Sequence, residues 1–333
     1  MPEGRQPAHR ELGRRPPSVG GIGRRFPLFG GGMLVGLLLT AASGVLVRVW
    51  GAEFGDLYQG IAAMWLLAAC VFFVALRAGR EMSRREATVF AAPALALIGL
   101  HSFVLLDNPR LAALLPVSNL VVVGNWLPLG VGWLAGLAWR HVPRPVWRKL
   151  LAVVPLTAVC AWHSYGWMRG EPPRCGDFWR SGVCIQTSRA TCSAACAATL
   201  LKAHGIEASE AEMARLCLSR SWGTTRLGLY RGLKLKTAGS YEVKPLSWTL
   251  DELRERSRRP VLLHVRLEPG AEVDPRYARD WGWTPGQAHA VVLFRFLPDD
   301  LVEMGDPSVG REKWHVDSLR VLWRGDGMRL VPR

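Results

Sequence analysis

Motifs of several common enzyme classes are missing from this chain of 333 residues. The absence of G-x-x-x-x-G-K-[ST] excludes a nucleotide-driven motor of the P-loop class. The absence of C-x-x-C and H-E-x-x-H removes the ligand patterns of common zinc sites. No repeat of solenoid period occurs, and low complexity is confined to the Arg/Pro/Gly-rich residues 1–26. Motors, zinc hydrolases and repeat proteins are therefore excluded.

Acidic residues are few in the first half of the chain. Residues 1–170 contain 17 basic and 7 acidic side chains, whereas the remainder contains 25 and 20. The half with the larger positive excess is also the more hydrophobic one, which excludes a disordered chain and a single soluble domain. A pI near 10.2 usually indicates nucleic-acid binding, but here the arginines cluster between apolar runs, as in membrane proteins. We therefore predict a lipid bilayer, and no nucleic acid, as a partner.

Long runs without any charged residue recur before residue 170. A membrane-crossing helix needs roughly 20 apolar residues, and none of these runs has the charged face of a soluble helix. The predicted spans are 28–47, 57–76, 87–106, about 119–139 and 150–168. The sequence therefore predicts a basic cytoplasmic tail over 1–26, a transmembrane anchor of about five helices over 27–168 and an extracytoplasmic domain over 169–333.

The charges between the predicted spans fix their orientation. The short loops on one side contain only Arg48 and Arg110. The fourteen basic residues on the other side are Arg5, Arg10, Arg14, Arg15, Arg24, Arg25, Arg77, Arg80, Arg84, Arg85, Arg140, Arg144, Arg148 and Lys149. Because basic loops stay in the cytoplasm, we expect a multi-pass protein of a bacterial inner membrane with a cytoplasmic N-terminus. Arg24-Arg25-Phe26 loosely resembles a twin-arginine export signal, but the long basic region favours an uncleaved first span.

His101 and His163 fall near the outer ends of predicted spans, where polar residues are functional candidates. Two histidines without further ligands bond more often to neighbouring helices than to a haem or a metal. We therefore predict no metal and no cofactor.

Short helices followed by strands are predicted after residue 168. An apolar helix starts at Thr191 and ends at Gly205, and Thr225 caps a later helix. The patterns Ser209-x-x-Glu212 and Thr249-x-x-Glu252 are capping boxes. Strand-like runs occupy 260–267, 288–297, 301–305 and 316–323, with a turn at 325–327. This order is typical of an α+β domain.

Five of the seven cysteines lie in the predicted outer domain: Cys175, Cys184, Cys192, Cys196 and Cys217. In an oxidising compartment cysteines tend to pair, and an odd number leaves one free. Bridges between Cys175 and Cys184 and between Cys196 and Cys217 leave Cys192 unpaired. In a reducing compartment this argument vanishes.

Cys192 lies at the N-terminus of a predicted helix, where backbone N–H groups stabilise a thiolate. A nucleophilic cysteine also needs a base, a group that orients the base and donors for the oxyanion. Gln186 is the candidate donor, and His289 and Asp306 fall on two strands joined by a turn near 298–300. That turn pairs residue 289 with 306 or 308, which brings both side chains to one face about 5–8 Å apart. A shift of one residue would separate them.

Each of these four residues, taken alone, is more often structural than catalytic. His264 is a rival base, but it has no acidic residue in a comparable hairpin relation. His204 is expected to contact the end of a helix and His315 to lie at the surface. The combination nevertheless favours catalysis by Gln186, Cys192, His289 and Asp306.

The segments QTSRATCSAACAATLLKAHGI, SWGTTRLGLYRGLK, AHAVV and GDPSVG resemble those of the cysteine peptidases that remove double-glycine leaders from bacteriocins. The resemblance covers about 185–314 and implies a papain-like fold. It also implies an oxyanion donor at Gln186, a nucleophile at Cys192, a base at His289 and an orienting acid at Asp306. Family members commonly have Asp before the cysteine and Gly after it, where this chain has Thr191 and Ser193. Members fused to ABC exporters work in the cytosol, whereas the predicted topology places this domain outside.

We therefore predict an α-helical transmembrane region followed by an α+β papain-like cysteine peptidase domain. Its expected partners are a peptide or protein substrate, the bilayer and a separate export machinery. Two alternatives stay open. One is a catalytically inactive peptide-binding or scaffold domain of the same fold. The other is an acyl transferase or amidase that uses the same residues on cell-wall peptides.

Overall fold

The computed structural model describes residues 55–114, 127–166, 172–272 and 274–333. The first predicted span, 28–47, lies outside the described residues, as do positions 119–126 of the fourth and 167–168 of the fifth. The predicted basic tail over 1–26 also lies outside them.

The N-terminal described part is helical. Its helices are α1 (Gly55–Ala78), α2 (Arg84–Leu100, continued by one π-helical turn over His101–Leu105), α3 (Pro109–Ala113), α4 (Leu127–His141) and α5 (Val146–Gly166). Two segments among the described residues are long and apolar enough to cross a membrane, Gly60–Ala78 and Arg84–Phe103. The second and third predicted spans therefore have the length and composition of membrane helices, and the other three stay predictions.

Helix α4 packs closely against its neighbours because it presents glycines to them. A Cβ at Gly132 would come within 2.4 Å of the Ala68 carbonyl oxygen, and one at Gly136 within 2.5 Å of the Phe72 carbonyl oxygen, both on α1. A Cβ at Gly130 would meet Ile98 of α2 at 2.8 Å. The four-residue spacing of Gly132 and Gly136 is the small-residue pattern with which helices pack in membranes.

The C-terminal part is an α+β domain, as the sequence predicts. A hairpin of β1 (Phe178–Arg180) and β2 (Val183–Ile185) precedes three helices, α6 (Cys192–Lys202), α7 (Glu210–Leu216) and α8 (Arg226–Lys236). The remaining elements are β3 (Tyr241–Ser247), α9 (Leu250–Arg256), β4 (Val261–Arg266), α10 (Arg276–Arg279), β5 (Ala288–Phe296), β6 (Leu301–Asp306), β7 (Gly310–His315), α11 (Val316–Leu322) and β8 (Trp323–Pro332).

The six later strands form one antiparallel sheet in the order β3-β8-β4-β5-β6-β7. Alternate residues of β4 and β5 face two separate cores. Leu262 and Val292 belong to the core shared with α6, α7 and α8. Leu263 and Leu293 belong to the core shared with α9 and α11 on the other face. The sheet is therefore covered by helices on both faces.

Three of the helix caps predicted from the sequence are present in the structure, one of them in part. Thr249 and Glu252 form the predicted capping box of α9, and Thr225 accepts from the Gly228 N–H at the start of α8. Ser209 accepts from the Glu212 N–H at 3.0 Å, which is one half of its predicted box. These side chains satisfy backbone donors that a helix start leaves without a partner.

One predicted strand is wrong. Residues 316–322 of the strand predicted over 316–323 form α11, and the strands lie on either side of it, in β7 and β8, which starts at Trp323. The His315 ring nitrogen accepts from the Asp317 N–H and caps this helix, and Leu319 and Leu322 are buried on one side of it. The predicted turn at 325–327 lies within β8.

Polar contacts join the starts and ends of α1 and α2 to the α+β domain. Arg231, which is 0% exposed, donates Nε and Nη2 to the two oxygens of Asp56 at 2.8 and 2.6 Å. Asp107 accepts from the backbone N–H groups of Arg226 and Leu227 at 3.0 and 2.9 Å. A carboxylate at this helix N-terminus is favoured by the helix dipole. Residues 56 and 107 therefore both contact α8.

Candidate active site

Cys192 is the first residue of α6, as the sequence predicts. Thr191 precedes the helix without a side-chain cap, and every residue from Ser193 to Leu201 is buried. The run of alanines lets this helix pack tightly on the sheet: the Cys196 thiol reaches the Ala290 carbonyl oxygen at 3.1 Å. The helix thus holds Cys192 against the start of β5, where it stays half-buried.

His289 and Asp306 lie on the same face of the sheet because β5 contains a bulge. Arg295 pairs with Glu303, but Leu293 pairs with Met304, so Phe294 is an extra residue on β5. Beyond the bulge the register places Asp306 opposite Val291, two residues from His289. Without the extra residue, Asp306 would lie opposite Val292 and on the other face.

The imidazole and the carboxylate are in direct contact. His289 Nε2 lies 3.0 Å from Asp306 Oδ1, and the same oxygen accepts from the Ser308 backbone N–H at 2.7 Å. Both side chains are largely buried. Because Nε2 faces Asp306, Nδ1 is the nitrogen left for the Cys192 thiol, which is close enough to His289 for each group to shift the pKa of the other. The structure therefore brings the predicted cysteine, histidine and aspartate together.

The contact between Cys192 and His289 changes the acidity of both groups. Burial raises the pKa of the Cys192 thiol, but the hydrogen bond and positive charge of His289 outweigh it, and the pKa falls below its usual value. Burial lowers the pKa of His289, but hydrogen bonds with Asp306 and Cys192 outweigh it, and the pKa rises above its usual value. These directions favour a thiolate beside an imidazolium.

Gln186 lies at the same end of the sheet as the histidine–aspartate pair. Its backbone N–H donates to the Pro307 carbonyl at 2.8 Å, and its Oε1 accepts from the Ser308 hydroxyl at 3.4 Å. Its Nε2 donates to the Ser188 carbonyl at 3.1 Å. An amide nitrogen carries two hydrogens, so one donor is used within the loop that leads to Cys192.

Glu210 is a site residue that the sequence analysis missed. Its carboxylate is 0% exposed and accepts from the Thr187 N–H at 2.9 Å, the Thr187 hydroxyl at 2.7 Å and the Thr191 hydroxyl at 2.5 Å. Thr187 follows Gln186 and Thr191 precedes Cys192. One buried carboxylate therefore holds both ends of the loop between the predicted oxyanion donor and the nucleophile. The sequence pattern does not distinguish Glu210 from an ordinary acidic residue in the first turn of a helix.

His264 and His204 lie away from this cluster. His264 lines a small cavity with Asp107, Arg226 and Asp326, and burial, with a smaller effect of Arg226, lowers its pKa to about 4. His204 contacts the Leu200 carbonyl at 2.9 Å near the end of α6, and His315 is exposed, both as predicted. His264 is therefore not the base that faces Cys192.

The two bridges that the cysteine count suggests are not formed among the described residues. All seven cysteines, which lie within the described residues, are thiols. The sulfur of Cys196 faces Ala290, whereas that of Cys217 faces Leu229. Burial raises the pKa of Cys184 and of Cys217 to about 12 each. The surroundings of Cys192, and not the parity of the cysteine count, distinguish it from the others.

His101 is buried near the end of α2, and the side chain of His163 lies outside the described ones. Within the described part of the chain, no group of three or more His, Cys, Asp or Glu side chains is placed to hold a metal ion.

Comparisons with known proteins cover the α+β domain. Residues 180–270 match the model of the Peptidase C39 family, a range that contains Gln186 and Cys192 but ends before His289. A solved double glycine motif protease from an AMS/PCAT transporter, in complex with its leader peptide, is 16% identical with a TM-score of 0.36. That alignment covers 50% of this chain and 96% of the other. The peptidase domain of Streptococcus ComA, a bi-functional ABC transporter involved in quorum sensing, is 21% identical with a TM-score of 0.35, over 45% and 96% of the two chains. No curated protein matches the chain.

The family match begins two residues after the start of β1 and includes the helix that carries Cys192. The remaining predicted residues, His289 and Asp306, follow it on the strands β5 and β6. The α+β domain of this chain therefore resembles the cysteine peptidases of the C39 family, as its motifs indicate.

Proposed function

We propose that this chain is a membrane-anchored cysteine peptidase that cleaves peptide or protein chains. The observation that carries the proposal is the placement of one histidine, His289, between Asp306, which it contacts at 3.0 Å, and the Cys192 thiol, whose pKa it lowers. A buried histidine held by a carboxylate keeps the orientation in which its other nitrogen faces the sulfur.

The proposed reaction uses only groups of the chain, the substrate and water. The Cys192 thiolate attacks the carbonyl carbon of the scissile bond and forms a C–S bond. As the C–N bond breaks, the His289 imidazolium gives its proton to the leaving amine. A water molecule then attacks the thioester, His289 takes one of its protons, and the thiolate leaves with its electron pair. Asp306 holds the imidazole throughout and is not consumed.

The oxyanion of each tetrahedral intermediate needs donors near Cys192. We assign this role to the second Nε2 hydrogen of Gln186 and to the backbone N–H of Cys192. The assignment is supported by the contacts that hold Gln186, because Ser308 fixes its Oε1 and so directs Nε2 toward the loop before Cys192.

Product mass tests the proposed chemistry against the alternatives. The purified full chain in detergent is incubated with a mixed peptide library, and the products are analysed by mass spectrometry. Hydrolysis adds one water across each cleaved bond, whereas acyl transfer joins the acyl fragment to another amine. If no peptide is cleaved or transferred under any condition, the chain is a peptide-binding or scaffold domain and the proposal fails. Double-glycine leader peptides form one arm of this library.

Glu210→Gln is expected to lower kcat roughly tenfold to a hundredfold, with a smaller change in KM. Glutamine keeps the volume of the side chain, but its NH2 group replaces an oxygen that accepts a hydrogen bond. The loop that positions the oxyanion donors is then loosened, which acts on the transition state.

Glu212→Gln is the matched control for Glu210, since Glu212 lies on the same helix but pairs with Lys236 and not with the loop before Cys192. Steady-state kinetics of both variants on one cleaved peptide make the comparison. Equal kcat values for the two variants would contradict the role of Glu210 in positioning the loop.

The membrane anchor rests on three features of the described helices. Two of them have the length and composition of spans, and large apolar side chains such as Phe73, Phe90 and Phe103 are exposed on their surfaces. The C-terminal ends of α1 and α4, which both carry basic residues, lie close together, because a Cβ at Gly79 would lie 3.3 Å from the Arg140 side chain. Asp56 and Asp107, at the other ends, contact the α+β domain. This arrangement supports a topology in which the basic loops are cytoplasmic and the peptidase domain is outside.

Reporter fusions test this topology in a bacterial host. Alkaline phosphatase fused after Arg333 is expected to be active, and green fluorescent protein at the same position is expected to be dark. Fusions in the basic loop after Arg80 are expected to give the opposite pattern. A fluorescent fusion after Arg333 would place the domain in the cytoplasm and overturn the proposed orientation.

A further inference from the structure

A cavity of about 720 Å³ lies beside His289 and Asp306. Cys192 is not among its lining residues, so the cavity borders the histidine side of the candidate site. Its other walls come from the segment after α10, from β7 and from α11. They include Trp283, Glu312, Trp314 and Ser318. The cavity is large enough for an amino-acid side chain and the backbone that carries it.

Aromatic rings form most of the apolar wall. Trp283 makes edge-to-face contacts with His289 and with Trp314, with ring centroids 5.8 Å apart in both pairs. Tyr277 makes a similar contact with Trp281, at 4.7 Å, and Trp281 is 51% exposed at the mouth. Such rings bind both the aliphatic stem and the cationic head of a long basic side chain.

Glu312 gives the cavity an unbalanced negative charge. It is half-buried, and the hydrogen bond it makes among the described residues is from the Trp314 indole N–H to Oε1. Its other oxygen faces no donor there. Burial raises the pKa of Glu312, the nearby Asp306 raises it further, and the Trp314 hydrogen bond and His289 lower it less. This carboxyl therefore lacks a cationic partner of its own.

The other charged groups near the cavity leave that imbalance in place. Along β7 the half-buried positions are Glu312 and Trp314. Lys313 and His315 also line the cavity, but from exposed positions of the alternating pattern, and neither forms an ion pair with Glu312 among the described residues. His315 pairs with Asp317. Asp280, at the rim, adds a third carboxylate to those of Glu312 and Asp306, and it pairs with Arg279 at the surface.

The position of the cavity identifies the part of a substrate that reaches it. This step rests on the proposed function. His289 protonates the amine that leaves, so the residue that follows the cleaved bond must pass over the imidazole. His289 itself lines the cavity, so the side chain of this residue can enter it.

We propose that this cavity binds the side chain of the residue directly after the cleaved bond and selects lysine or arginine there. The stem of such a side chain packs against Trp283 and Trp314, and its cationic head reaches the free oxygen of Glu312. A charged hydrogen bond in a half-buried site makes a selection of roughly tenfold or more over an uncharged side chain of equal length.

Positional analysis of the cleaved library tests this selection in the full-length chain. The expected result is that lysine and arginine are enriched roughly tenfold over norleucine at the position after the cut. Glu312→Gln, which keeps an oxygen for the Trp314 indole, is expected to lose this enrichment. Asp317→Asn, which removes an exposed carboxylate that does not line the cavity, is the matched control and is expected to keep it. Near-UV circular dichroism shows whether each variant is folded, and Asp280→Asn at the exposed rim provides a second measurement if Glu312→Gln is not.

The outcomes separate the two proposals. If the wild type cleaves nothing, the proposed function fails. Cleavage with aromatic, acidic or no preference after the cut would leave the peptidase in place and overturn the assignment of the cavity. Enrichment of basic residues that survives in both Glu312→Gln and Asp280→Asn would overturn it as well.

Discussion

Replacing Cys192 with alanine is expected to lower kcat/KM for peptide cleavage by at least about four orders of magnitude. The sulfur forms the covalent bond with the substrate, and no other group of the cluster can replace it, because His289 and Asp306 act on protons and orientation. Binding of the peptide is expected to persist, since the aromatic cavity and the fold do not depend on the sulfur. Cleavage assays and peptide-binding measurements on the same preparation separate these two effects.

Cys196→Ala is the matched control for this variant. Cys196 lies one helical turn further along α6, is fully buried, and has a pKa that burial raises well above its usual value. It is a packing residue, and its replacement removes one small atom from the core, so cleavage per folded molecule should persist. A Cys192→Ala protein that still cleaves peptides at the wild-type rate would defeat the proposed mechanism.

His289→Ala is expected to raise the pH at which Cys192 reacts with iodoacetamide. In the wild type, the hydrogen bond and charge of His289 outweigh burial and hold the thiol pKa below its usual value. Without the imidazole, burial remains and the pKa rises. Each unit of that rise lowers the thiolate fraction at neutral pH about tenfold, so the alkylation rate at pH 7 falls by about tenfold for each unit of the rise.

The pH profile of alkylation, followed by mass spectrometry of the peptide that contains Cys192, measures this shift. His264→Gln is the control, because His264 was the rival base in the sequence and lies in a different cavity. Its profile should match that of the wild type. A midpoint that moves with His264 and not with His289 would assign the base to the other histidine.

The contact between His289 and Asp306 shows how far a strand pattern can be interpreted. The hairpin predicts that residue 289 lies opposite 306 or 308, and both pairings place the two side chains on one face. The pairing next to the turn, Arg295 with Glu303, would by itself separate them. The bulge at Phe294 returns the two side chains to the same face of the sheet. Gly305 leaves room for the Phe294 ring, since a Cβ at Gly305 would lie 2.7 Å from that ring. No sequence signal marked that bulge in advance.

Glu210 and α11 are two features that the local sequence pattern does not predict. A glutamate in the first turn of a short helix is ordinarily a surface residue, and only the packing of α7 against the loop before Cys192 buries it with three donors. The residues of α11 are β-branched and apolar enough to predict a strand. They form a helix because His315 caps it and the second core buries one side of it.

The sequence by itself determined the α+β character of the C-terminal domain, the helix start at Cys192 and the identity of the four candidate catalytic residues. These features depend on local patterns of capping, apolar spacing and residue order, which act over a few neighbouring residues. The tertiary structure decided which histidine faces the sulfur, on which face Asp306 lies and which buried carboxylate holds the loop. Those outcomes depend on contacts between segments up to about a hundred residues apart, and a one-residue change in register is enough to reverse them.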